Sequence, residues 1–236
     1  MKTLHLFFLL LMGLLSNSLA AQDAELVAAI AQLNDYFESA ENLQLHTEYR
    51  LYKTWYDQSP ESAHQGEYHR SAGQFYCQVG DNESLQTSAG RVEIDHKNRM
   101  VYFLGELKEA PDPLKQVDLK AVLQLVSREE KSEVQGQHRN FRLYFAEGTE
   151  MARIDLRVNV SSGALQQLIV FYGHPQRFGN ASYDDPGTKP RLEIDYRLST
   201  APKVDANQKV NEVLRFDANA PELQPAFDNY QLIRMG

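Results

Sequence analysis

The sequence has almost no cysteine, with Cys77 alone among 236 residues. A single cysteine excludes an intramolecular disulfide framework and any metal site built from several thiolates. The chain also lacks an excess of basic residues, because 24 lysines and arginines face 32 aspartates and glutamates and the formal net charge is −8. Proteins that bind nucleic acid depend on a basic surface facing phosphate. The composition therefore argues against nucleic acid as a partner.

Catalytic motifs are missing as well. The sequence contains no Gly-x-Ser-x-Gly elbow, no Gly-x-x-x-x-Gly-Lys phosphate loop and no Gly-x-Gly-x-x-Gly fingerprint. Its seven histidines are scattered, and none has the His-Glu-x-x-His spacing of a zinc site. Asp184 and Asp185 precede Pro186 and Gly187, which is a turn sequence rather than an acid–base pair. We therefore expect a protein that is not an enzyme and binds neither metal nor cofactor.

Long apolar runs are rare, and the longest lies at the N-terminus. Residues 4–15 are almost entirely apolar and lead to Ser18 and Ala20, small residues at the −3 and −1 positions of a cleavage site. This is the pattern of a secretory signal peptide. The run is shorter than the roughly 20 apolar residues needed to span a bilayer. We predict that residues 1–20 are removed on export and that the mature chain begins at Ala21.

Two segments have the periodicity of amphipathic helices. In residues 24–37, Leu26, Ile30, Leu33 and Phe37 recur at spacings of four, three and four. A second helix is predicted after Asp118, following the prolines at 111 and 113. Its apolar positions at i, i+3, i+4 and i+7 are Leu119, Val122, Leu123 and Val126. Both helices have an apolar stripe that must be buried against another element.

The remaining periodicity is that of strands. Apolar and polar residues alternate over 43–52, and residues 57–65 form a polar loop. Shorter strand-like runs cover residues 66–70, 74–79, 91–95, 99–104, 141–145, 152–160, 165–172 and 191–199, with weaker ones at 213–216 and 230–233. Short turns between strands favour antiparallel pairing. Charged residues occupy one face of two late strands, as in a sheet with one face in water: Arg153, Asp155, Arg157, Glu193, Asp195 and Arg197.

These patterns predict one α+β domain over residues 21–236, with an extended C-terminal segment. Its centre is expected to be a strongly curved antiparallel sheet, a half-open barrel, because the strands are joined by short turns and need a common apolar side. The two helices are expected to cover the concave apolar face of this sheet.

Aromatic residues are the other prominent feature of the first half of the chain. Tyr52 falls on the opposite side of its strand from Leu51, and Tyr102 is followed by Phe103, so these strands carry apolar side chains on both faces. Such strands are either buried twice or line a cavity. An acyl chain suits such a cavity, since each buried methylene contributes about 0.8 kcal/mol. The candidate ligand contacts are Arg50, Tyr52, Trp55, Arg70, Phe75, Tyr102 and Phe103, with the two arginines at the mouth.

The order of elements and several short passages resemble the LolA/LolB-like superfamily. Its members are the lipoprotein carriers and receptors of the Gram-negative envelope and the related sensor-regulator RseB. The passages are Leu33-Asn34-Asp35-Tyr36-Phe37 before the strand that starts near Asn42-Leu43, then Gly66-Glu67-Tyr68-His69-Arg70, Gln74-Phe75-Tyr76, and Ser88-Ala89-Gly90-Arg91-Val92 before Asp95. They correspond to a helix end, a glycine-led strand with a basic residue, an aromatic strand and a glycine-centred turn.

The resemblance implies a periplasmic, non-catalytic carrier that binds a lipid or a lipid-modified protein in an apolar concavity. It further implies that the mid-chain helix is a lid and that Arg70 helps it close, although Ser71 stands where the carriers have proline. An envelope protein partner and transient contact with a membrane surface are also implied. The alternative is an interaction or sensor module of the same fold, whose concavity is filled by its own helices.

Overall fold

The computed structural model describes residues 24–39, 41–105, 119–177, 187–199, 204–217 and 220–235. The predicted signal peptide, the prolines at 111 and 113, Asp118 and residues 178–186 of the loop after the tenth strand lie outside these ranges. Within them, no helix is both long enough and apolar enough to cross a membrane.

The described chain contains three α-helices and fourteen strands. The helices are α1 (Ala24–Ser39), α2 (Leu119–Gln124) and α3 (Ala206–Val213). The strands before α2 are β1 (Asn42–Tyr52), β2 (Ser62–Ser71), β3 (Gln74–Val79), β4 (Asn82–Thr87), β5 (Gly90–Asp95) and β6 (Met100–Phe103). Those after it are β7 (Val126–Lys131), β8 (His138–Phe145), β9 (Met151–Asn159), β10 (Leu165–Tyr172), β11 (Arg191–Leu198), β12 (Leu214–Asp217), β13 (Ala220–Leu223) and β14 (Gln231–Arg234).

Twelve of the described strands form one sheet in the order β14-β6-β5-β4-β3-β2-β1-β11-β10-β9-β8-β7. Two antiparallel meanders, β1–β6 and β7–β11, are joined side by side where β1 pairs with β11. Only the pairing of β14 with β6 is parallel among the described strands. The predicted antiparallel sheet is confirmed, but the protein is mostly β, and the sheet is neither closed nor strongly curled, since β14 and β7 remain as its two edges.

The two faces of this sheet are covered by different helices. We call the face bearing Leu43 and Leu45 of β1 the α1 face, because α1 and α2 pack against it. The opposite face is the α3 face, where Val210 and Val213 of α3 pack on β3–β6. The α1 face is apolar from β8 across to β3, whereas the apolar cluster beneath α3 covers β3–β6. β3 is therefore buried on both sides, with Phe75 on the α1 face and Tyr76 on the α3 face.

The two predicted helices, α1 and α2, pack on the same apolar face, and a third helix that was not predicted, α3, lies on the opposite face. The Asp205 carboxylate caps α3 by accepting hydrogen bonds from the backbone N–H groups of Asn207 (2.8 Å) and Gln208 (3.2 Å). Its apolar stripe is only Ala206, Val210 and Val213, which is too short for periodicity to stand out. Asp205, as a capping residue, is the feature of the sequence that could have indicated this helix.

Several strand boundaries also differ from the sequence predictions. β2 begins at Ser62, inside the predicted loop of residues 57–65, and β4, β7 and β13 were not predicted. Val126 belongs to β7, where it pairs with Phe145, rather than to the mid-chain helix. The helix ends earlier because α2 closes with a turn in which the Leu125 N–H donates to the Val122 carbonyl at 3.0 Å. β-branched Val126 then favours the extended backbone of a strand.

Candidate functional site

Charged side chains cover the part of the α3 face that is formed by β1 and the second meander, where α3 does not pack. At its centre the Arg50 guanidinium contacts Glu48 at 2.9 Å, Glu193 at 3.3 Å and Asp195 at 2.5 Å. These four side chains are each mostly shielded from solvent. The face predicted from the alternation of β9 and β11 is therefore polar, as expected, but its central part is a connected ion-pair network rather than isolated solvated charges.

Arg191 extends this network to the end of β1. Its guanidinium lies 4.0 Å from the centre of the Tyr52 ring, pairs with Glu193 at 3.0 Å, and donates to the backbone carbonyl of Trp55 at 2.5 Å. The Trp55 indole N–H in turn donates to the carbonyl of Tyr172 at 3.1 Å. Three of the seven predicted ligand contacts, Arg50, Tyr52 and Trp55, thus lie close together. They are joined through contacts with Glu193 and Arg191.

The other four predicted contacts lie elsewhere. Arg70 is buried on the α1 face and donates to the carbonyl of Phe37 near the C-terminal end of α1. Phe75 stacks on Tyr68 on that face, with ring centres 6.2 Å apart. Tyr102 lies on the α1 face of β6, whereas Phe103 lies on the α3 face against Phe216, with ring centres 5.8 Å apart. The seven residues occupy both faces and do not form one site, so their ligand roles stay predictions.

The predicted lid residues also belong to more than one element. Val122 and Leu123 of α2 are buried in the core cluster that contains Leu26 and Ile30 of α1. Val126 packs against that cluster from β7, and the side chain of Leu119 lies outside the described part. α2 therefore completes the core beside α1, and its role as a lid stays a prediction.

A cavity of about 310 Å³ lies between the C-terminal half of α1 and the ends of β1, β10 and β11. Its apolar lining consists of Tyr36, Leu45, Ala164, Leu165, Tyr196 and Leu198, and its polar lining of Asn159, Ser162, Gln166 and Arg197. Burial raises the pKa of the Tyr196 phenol, so this side chain stays neutral across the physiological range. The volume of this cavity lies at the lower end of the range for small-molecule binding sites.

A second cavity, also of about 310 Å³, opens on the α3 face of the same strands. It is lined by Arg157, Gln166, Gln167, Asp195, Tyr196 and Arg197. Three of these residues, Gln166, Tyr196 and Arg197, also line the first cavity. Sequence reasoning placed Arg157 and Arg197 on a solvated face and missed both cavities, because the cavities depend on where β10 stops pairing with β11.

Two ion pairs hold the N-terminal end of α1 to the sheet. Glu25 contacts Lys131 of β7 at 2.5 Å and Arg139 of β8 at 3.0 Å. Hydrogen bonds from Lys131 and Arg139 hold the pKa of Glu25 below its ordinary value. With Arg70 at the other end, polar contacts fix both ends of the helix, and apolar contacts fix its middle. A cationic group at the C-terminal end also suits the helix dipole.

We expect Arg50→Gln to lower the free energy of unfolding by about 1–3 kcal/mol. The change leaves Glu193 and Asp195 facing each other in a partly shielded site without their shared cation. The matched control is Arg197→Gln on the same face, which is expected to change stability by less than about 0.5 kcal/mol. Urea denaturation measures both variants, and equal effects would show that the network contributes nothing specific.

Comparisons with known proteins concern the fold. No protein-family model and no curated protein sequence matches the chain. Among solved structures, the chain is similar to the lipoprotein LppX of Mycobacterium tuberculosis, at 11% identity and a TM-score of 0.39, over 78% of this chain and 100% of that one. It is also similar to a chain of the MucA/MucB complex of Pseudomonas aeruginosa, at 11% identity and a TM-score of 0.43, over 85% of this chain and 64% of that one.

A LolA superfamily protein from Nitrosomonas europaea is similar as well, at 10% identity and a TM-score of 0.23, over 75% of this chain and 94% of that one. The resemblance noted in the sequence thus has counterparts among solved structures of the LolA superfamily, LppX and MucB.

Proposed function

We propose that the protein is a non-catalytic carrier of the periplasm that holds the acyl chain of a lipid or of a lipid-modified protein against the α1 face. The observation that supports the proposal is the partly apolar cavity between α1 and the ends of β1, β10 and β11. An acyl chain entering there meets the apolar surface that continues beneath α1. Each methylene buried in this way contributes about 0.8 kcal/mol.

α1 is the element that moves in this account. It has 16 residues and is therefore about 24 Å long, and its apolar stripe crosses from the β8–β9 side of the sheet to β2 and β3. Leu26, Ile30 and Leu33 occupy apolar surface that an acyl chain can take over. An acyl chain can take over this surface only when α1 separates from the sheet, so the carrier requires a local opening of this helix without global unfolding.

A second candidate is an interaction module whose α1 never leaves the sheet. It is favoured by the burial of the α1 stripe, which fills the apolar face except at the cavity. In that case the partner is an envelope protein that contacts the outer surface. The two candidates differ in one respect that can be measured, which is whether α1 must move for the protein to act.

Pinning α1 to the sheet separates the two candidates. Glu25→Cys and Lys131→Cys, in a Cys77→Ala background, place thiols at the ends of an existing side-chain contact between α1 and β7. Joining them with a short bis-maleimide is expected to reduce uptake of a fluorescent long-chain fatty acid at least tenfold, because the cover can no longer open. The measurement is a fluorescence titration.

The matched control is the same variant with both cysteines capped separately, which is expected to take up the probe like the parent chain. Equal uptake by the pinned and capped proteins would contradict the carrier. Failure of the unmodified chain to bind any long-chain lipid would contradict it directly and leave the interaction module.

Export is a separate expectation of the proposal. Mature protein recovered from the periplasm of a Gram-negative host is expected to begin at or near Ala21, because Ser18 and Ala20 form the cleavage site. N-terminal sequencing reads this directly. Recovery of Met1 in that fraction would contradict it.

A further inference from the structure

The sheet has a local gap between two of its central strands. Pairing of β10 with β11 extends from Phe171 only as far as Gln167, which faces Asp195. β11 continues to Leu198, and β10 begins at Leu165. Within the described residues, these two strand ends therefore do not pair with each other. The register between β9 and β10 also shifts between Leu165 and Gln167. We call this place the β10–β11 gap.

The two cavities meet at the β10–β11 gap. Gln166, Tyr196 and Arg197 line both of them, so the two cavities lie back to back, one on each face of the sheet. The cavity on the α1 face is largely apolar, through Tyr36, Leu45, Leu165 and Leu198. Leu198 is 67% exposed, a large apolar side chain open to solvent at the rim. The pair of cavities is thus largely apolar on the α1 face and polar on the α3 face.

Two arginines, Arg157 and Arg197, line the cavity on the α3 face. Across the described part of the chain, the guanidinium groups of Arg157 and Arg197 form neither ion pairs nor hydrogen bonds. Asp195 is the carboxylate of this cavity, and both its oxygens are engaged: Oδ2 contacts Arg50 at 2.5 Å, and Oδ1 accepts a hydrogen bond from Gln167 at 2.8 Å. Two cations without partners therefore face one cavity in a chain whose formal net charge is −8.

The geometry points to a single-chain amphiphile with a carboxylate head group: we propose that the β10–β11 gap binds a fatty acid. The carboxylate lies between Arg157 and Arg197, and the chain runs through the gap to the apolar surface beneath α1. The two arginines are on strands about 10 Å apart, so long side chains can converge on one anion. Guanidinium–carboxylate hydrogen bonds are charge-assisted and strong. This inference rests on the proposed carrier function and names its ligand class and head-group site.

The test compares two double variants that remove the same charge from the same face. Arg157→Gln with Arg197→Gln removes the proposed head-group contacts. Arg128→Gln with Arg142→Gln is the control, because these side chains are 63% and 57% exposed and lie outside both cavities. Palmitate and hexadecanol are the probes, each titrated calorimetrically. The first double variant is expected to bind palmitate at least tenfold more weakly and hexadecanol unchanged, whereas the control binds both like the parent chain.

Each other outcome has a distinct meaning. Undiminished palmitate binding by Arg157→Gln/Arg197→Gln would overturn the head-group site while the carrier function stands. An equal loss in both double variants would show a general effect of net charge and would also overturn the site. If the parent chain binds neither palmitate nor hexadecanol, both this inference and the carrier function are wrong.

Discussion

Replacing Leu33 with alanine is expected to lower the free energy of unfolding by about 3–5 kcal/mol. Leu33 is 0% exposed and lies at the centre of the cluster that α1 forms with β1, β2 and β3. Truncation loses the transfer free energy of the side chain and leaves a cavity among Phe37, Leu43 and Tyr68. Urea denaturation followed by circular dichroism measures the change.

The control on the same helix is Val27→Ala. Val27 is 42% exposed, so its replacement is expected to change stability by less than about 0.5 kcal/mol. A loss below about 1 kcal/mol for Leu33→Ala would mean that α1 does not pack on the sheet as described, and the account of α1 as the cover of this face would fail.

The second large effect is expected in α2. Leu123 is 5% exposed and packs in the cluster that joins α1 to β8–β10, so Leu123→Ala should cost about 2–4 kcal/mol. Leu125, one residue beyond the helix and 40% exposed, supplies the control, and Leu125→Ala should be nearly neutral. The measurement is again urea denaturation, combined with titration of the fluorescent fatty acid.

The paired readouts decide what α2 does. A large loss of stability with unchanged uptake per folded molecule places α2 in the permanent core, as its burial indicates. A loss below about 1.5 kcal/mol with altered uptake would contradict that interpretation and support the lid that the resemblance implies, since moving elements belong to the least stable part of a fold.

The parts of the fold that could be predicted are those with a strong local pattern. Leu26, Ile30, Leu33 and Phe37 marked α1 because helical spacing repeats over about three turns. The charged alternation of β9 and β11 marked strands with one polar face. β4 and β7 were missed for the opposite reason. β4 has Leu85 as its one large apolar residue, and β7 is mostly charged, so both are held by neighbours rather than by their own composition.

The candidate site could not be predicted because it depends on non-local pairing. Parity along one strand correctly placed Tyr102 and Phe103 on opposite faces, yet it does not say which face α1 or α3 covers. Arg157 and Arg197 are about 40 residues apart in sequence and come to line one cavity only through the pairing of β9, β10 and β11. The point at which β10 stops pairing with β11 is a property of three strands together, and no single segment encodes it.

Hydrogen exchange of the backbone amides in α1 tests the central claim most directly. If α1 is a cover that opens, its amides should exchange faster than those of β1 and with a weaker dependence on denaturant, because opening exposes less surface than global unfolding. The cross-link between residues 25 and 131 should remove this difference. Exchange of α1 at the same free energy as β1 in the unlinked protein, with no effect of the cross-link, would show that α1 leaves the sheet only when the whole molecule unfolds, and the carrier account would be contradicted.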